Sequence, residues 1–97
     1  MKRFVLVAFN LPFPIERRNL WDGVFNAAPD WLRYTSNAWI LWTSETPQTW
    51  LGRIKPHMLD QERVLICYLD LTNKSGWQQP MVWDWLNKTR LDTYSPD

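Results

Sequence analysis

Residues 3–9, RFVLVAF, form an almost unbroken apolar run that stops at NLPFP. A second such run, RVLICYLDL, occupies residues 63–71. Their length and flanks, with the Val, Ile and Phe content, predict two strands inside a sheet rather than buried helices. The remaining chain has to cover them. Behind Pro14, Leu20, Trp21, Val24, Phe25 and Ala28 recur at helical spacing, and Pro29 ends this helix. Residues 31–35 and 38–43 are rich in aromatic and β-branched side chains, with Ser36 and Asn37 as a turn signal, and predict a hairpin. Thr46 is placed to cap, and Pro47 to begin, a second helix with Trp50, Leu51, Ile54 and Met58 as its stripe. Pro56 should loosen that helix's last turn. After TNKSG, a short helix begins at Pro80 with Val82, Trp83 and Leu86 as contacts, and a polar tail runs from about residue 91. The order βαββαβ plus a helix predicts an α+β, ferredoxin-like domain. That means a four-stranded antiparallel sheet with two helices on one face and a short C-terminal helix.

A chain of 97 residues predicts one domain, 1–97, with a thin margin of stability. Eight tryptophans predict dense packing in a small core or an aromatic surface for a partner. Eleven Lys and Arg against ten Asp and Glu leave a net charge of +1, too balanced to indicate nucleic acid without local clustering. The single cysteine, Cys67, excludes an internal disulfide and a cysteine zinc site, and its apolar strand makes it a buried thiol. The opening MKRFVLVAFNLPFP has the cations and apolar run of a signal peptide but no small-residue cleavage site. It is read as the first strand of a cytoplasmic protein with no membrane partner.

Two families of small nucleic-acid proteins open similarly. FVLVAFNLPF followed by LWDGVF resembles the start of an RNA-recognition motif. That fold needs aromatics flanking Gly on its third strand, and AWILWTS has neither the Gly nor a preceding cation. Over nearly the whole chain, the arrangement resembles the small ferredoxin-like CRISPR-associated spacer-acquisition proteins and their stand-alone relatives, the virulence-associated D ribonucleases. The likeness rests on FVLVAFNL, on WLRYTSNAWILWTSETPQTWLGRIKPHMLDQERVLICYLDL and on SGWQQPMVWDWL. It implies a homodimer in which the last strands and tail reach across to the partner. It also implies an Asp at the end of the first strand, one from each protomer, holding a divalent metal that activates water. This chain has Asn10 there, and a neutral amide holds Mg²⁺ or Mn²⁺ poorly. Asp70, near the end of the last strand, is the remaining candidate ligand.

The expected function is therefore a small homodimeric binding protein without nuclease activity and without a cofactor. It would act on nucleic acid or a protein in a CRISPR, toxin–antitoxin or mobile-element setting. The alternatives are a metal-dependent endoribonuclease, an RNA-recognition-motif-like binder and an inhibitor module. Arg17, Arg18, Arg33, Arg53 and Lys55 are the candidate nucleic-acid contacts, with Arg33 expected on the open sheet face. Trp39, Trp42 and Trp77 are the candidate partner surface. His57 has no second His or Cys beside it and reads as a helix C-terminal cation. An edge strand as apolar as 63–71 invites pairing with a second copy.

Overall fold

A computed structural model describes residues 1–88; the tail expected from about residue 91 lies outside the described residues. The chain runs β1 (Arg3–Phe9), α1 (Ile15–Phe25), β2 (Asp30–Thr35), β3 (Ala38–Thr43), α2 (Pro47–Ile54), β4 (Val64–Leu69) and α3 (Pro80–Asn87). A single 3-10 turn, Lys55–His57, follows α2. The sheet order is β2-β3-β1-β4, with every neighbouring pair antiparallel. This is the arrangement of a ferredoxin-like fold, with β1 central and β4 at an edge.

Local chemistry accounts for the helix limits. The Thr46 hydroxyl accepts the Thr49 amide at 3.1 Å, and Pro47 opens α2 where its missing N–H costs nothing. Pro56 cannot donate to an α-helical ladder, so the helix expected to reach Met58 gives way to the 3-10 turn after Ile54. α1 stops at Phe25, one turn before the expected end, and Ala28 still packs into the core.

Strand alternation sorts the side chains. Val5, Val7 and Phe9 of β1, with Trp39 and Leu41 of β3, point to one face. There they meet Trp21 and Phe25 of α1 and Trp50 and Ile54 of α2. The rings interlock edge-on and tilted, with Phe9 and Trp21 centroids 4.7 Å apart and Phe25 and Trp39 5.3 Å apart. Each such pair adds about 0.5–1.5 kcal/mol to its area burial. The other face carries Phe4, Ile40 and Trp42, and α3 folds back over part of it. Trp85 lies 5.8 Å from Phe4 and donates its indole N–H to Asp30 at 3.1 Å. β3 is consequently covered on both faces, and its last five residues are all buried.

Candidate functional site

The loop after β1 is where a first-strand metal ligand would stand. Asn10 is exposed there, but both ends of its amide are used. Its Oδ1 accepts the Arg63 amide at 2.8 Å, and its Nδ2 donates to the Gln61 carbonyl at 3.3 Å. With the bond from the Asn10 amide to the Arg63 carbonyl, the side chain acts as one more peptide unit joining β1 to the chain that enters β4. A carboxylate could not do this, because it has no donor for Gln61. Asn10→Asp should therefore lower stability by about 1 kcal/mol in urea titration, without creating divalent-metal affinity detectable by calorimetry.

Beneath this bracket lies a residue that the sequence reading missed. Glu62 is 6% exposed, and its carboxylate accepts the Leu59 amide at 2.9 Å and an Arg17 guanidinium N–H. Arg17 also donates to the His57 carbonyl at 3.1 Å. One partly buried ion pair thus ties α1 to the turn after α2 and to the entry of β4. An acid just ahead of an apolar strand, with arginines starting a helix, was the available signal. Nothing local says that they meet.

The expected cations divide accordingly. Arg17, half-buried Arg18 and exposed Lys55 gather where α1 starts beside the 3-10 turn. Arg53 lies elsewhere, bonded to Glu45 at 3.3 Å and stacked over Trp50. Arg33 corrects the expectation. It sits on the helix side of the sheet, level with Trp39, and pairs with Asp22 of α1 at 2.9 Å. Trp39 and Trp42 are corrected too, since they are 0% and 5% exposed and belong to the interior. Trp77, at 99% exposure, keeps its place as a surface candidate.

Asp70 follows β4 at the opposite end of the sheet from Asn10, because Phe9 pairs with Val64 while Phe4 pairs with Leu69. The separation is about 20 Å, so within one chain the two cannot share an ion. The Thr72 hydroxyl and amide, at 2.7 and 3.0 Å, hold the Asp70 carboxyl below its ordinary value, with a smaller pull from Arg3. Thr72→Val should raise the Asp70 titration toward 3.8 by NMR. The small stabilisation from this group is present above that value and is lost as pH falls through the lower folded one. Among the described residues, no three His, Cys, Asp or Glu side chains are grouped to hold a metal, and no helix is long and apolar enough to cross a membrane.

Several large apolar side chains are exposed as well. Leu65 on β4 is 63% exposed, and Met81 at the start of α3 is equally so. No protein-family model, curated protein or solved structure matches this chain, so its fold and side chains carry the functional reading.

Proposed function

We propose that this chain is a homodimeric interaction module without nuclease chemistry. It pairs the outer edge of β4 with a second copy and engages a protein partner through apolar side chains exposed elsewhere, at the start of α3 and just before it. The observation that carries this is the edge itself. No described strand pairs with the outer side of β4, and Leu65, its second residue, is 63% exposed. An unprotected edge of this kind is a template for another strand, and a two-fold axis makes one copy complementary to the next. Exposed Trp77 and Met81 supply the anchors that protein interfaces favour. The resemblance to CRISPR-associated spacer-acquisition proteins accords with a dimer. The use of Asn10 as a backbone bracket accords with lost metal chemistry. Nucleic-acid binding has less to draw on, because Arg17, Arg33 and Arg53 each hold a carboxylate.

Light scattering after size exclusion should give twice the mass of one chain. A two-fold axis normal to a continuous sheet pairs a strand residue with its own copy, and Cys67 lies mid-strand, half-buried and not the fully buried thiol its apolar strand implied. Such pairs have Cα atoms about 4.5–5.5 Å apart, within disulfide reach, so mild oxidation should cross-link the dimer. Leu65→Lys should leave the fold intact and weaken dimerisation by at least about tenfold, the effect of ~1.4 kcal/mol. A monomer at every concentration would sink the proposal. RNA cleavage that needs Mn²⁺ and stops with EDTA would reinstate the nuclease. Salt-sensitive RNA or DNA binding without cleavage would shift attention to Arg18 and Lys55.

A further inference from the structure

The backbone of β4 has two sides. The Asn10 amide donates to the Arg63 carbonyl opposite it, so the register with β1 turns the N–H and C=O of Leu65, Cys67 and Leu69 toward β1. Those of Val64, Ile66, Tyr68 and Asp70 point to the unpaired side. Side chains alternate too. Val64 and Ile66 pack against the core beneath the helices, so Tyr68 shares their face and Leu65, Cys67 and Leu69 take the other. A two-fold axis normal to the sheet keeps these faces, so it passes through one residue position of the strand. Through Ile66, it would set Glu62 of each copy against Asp70 of the other, two carboxylates. Through Tyr68, it would bring together two Tyr68 rings, each with an Arg3 guanidinium 3.6 Å from its centroid. Through Leu65, it would oppose Asp60 to Asp70 and Arg63 to Cys67. Through Cys67, Leu65 meets Leu69, Ile66 meets Tyr68, and Asp70 falls diagonal to Arg63, opposite charges that are both exposed.

We infer that the second copy docks in the register centred on Cys67, with each Leu65 against the other copy's Leu69 and each Asp70 beside the other copy's Arg63. Resting on the β4-edge pairing, this register names the residues that fit one copy to the next. Ile66 and Tyr68 exchange both of their N–H···O bonds across the junction. Leu65 and Leu69 form the closer kind of pair, with Cα atoms about 4.5 Å apart. The register covers Leu65 and Tyr68, the side chains of β4 that are 63% and 38% exposed in one chain.

The test is disulfide trapping in the full chain carrying Cys67→Ser, oxidised by copper phenanthroline in air. Chains with Leu65→Cys should cross-link to chains with Leu69→Cys, and neither should cross-link to itself. Asp70→Lys should weaken dimerisation about fivefold at low salt, read by analytical ultracentrifugation, and the loss should shrink as salt rises. In the Ile66 register the same change would tighten the dimer, because it removes a carboxylate from beside Glu62. Leu65→Cys chains that link instead to a chain with Cys67 intact, or a dimer that Asp70→Lys tightens or leaves unchanged, would overturn the register and leave the edge pairing standing. A chain that stays monomeric would remove both.

Discussion

Glu62→Ala should lower the free energy of unfolding by about 3 kcal/mol, the low end for a buried ion pair that loses one partner. The carboxylate satisfies two donors from different parts of the chain, the Leu59 amide and the Arg17 guanidinium. Removing it leaves the Leu59 amide without its acceptor and the Arg17 charge without its counter-ion. Arg17 has little alternative, because its side chain is 22% exposed and its Nε is already buried without a hydrogen-bond partner. The bond to the His57 carbonyl and that residual exposure keep the loss near 3 rather than 5 kcal/mol. Glu62→Gln keeps an acceptor for Leu59 and should cost less, about 1–2 kcal/mol. Urea denaturation with an unchanged slope would isolate the effect on stability. Hydrogen exchange should speed most at the Arg63 amide, which Asn10 holds next door. A loss below about 1 kcal/mol would mean that the pair behaves as a solvated one and does not pin the helix layer to β4.

Asp22→Ala should cost about 2 kcal/mol, chiefly by orphaning the buried indole N–H of Trp39. One Asp22 oxygen accepts that N–H at 2.9 Å, and the other holds Arg33 at 2.9 Å. Trp39 is wholly buried, so no water replaces the lost acceptor, whereas the Arg33 pair is partly exposed and adds less than about 1 kcal/mol. Asp22→Asn retains a neutral acceptor and should recover most of the loss. Thermal unfolding measures the difference, and the Trp39 indole proton reports it by NMR. The alanine variant also frees Arg33. If that arginine were a nucleic-acid contact held in reserve, RNA affinity would rise at low salt. Under the interaction-module reading it stays unchanged.

The fold was legible because its signals are local. The apolar runs at 3–9 and 63–71 became β1 and β4, Thr46 and Pro47 opened α2, and Pro56 ended its regular part. The site was legible only in part. Placing Asn10 at the end of the first strand needed residue order alone, but its role depends on partners more than fifty positions away. The sequence offered both Trp39 and Trp42 as partner surface, although strand alternation puts them on opposite faces of β3. Both are buried because α3 returns across the second face, a packing choice that no local pattern carries. Arg33 followed the same logic, since its side of β2 became clear only once α1 brought Asp22 against it.

By itself, the sequence determined the order and kind of the elements, the edge position of β4 and the absence of an acid at the end of β1. Those follow from period, proline chemistry and residue identity, which act over a few residues at a time. Only the tertiary structure decided that the Asn10 amide is a bracket, that Glu62 is a buried anchor, and which tryptophans are interior. Those depend on strand register and on the path of α3. Both arise from contacts between distant segments, which pattern along the chain does not specify.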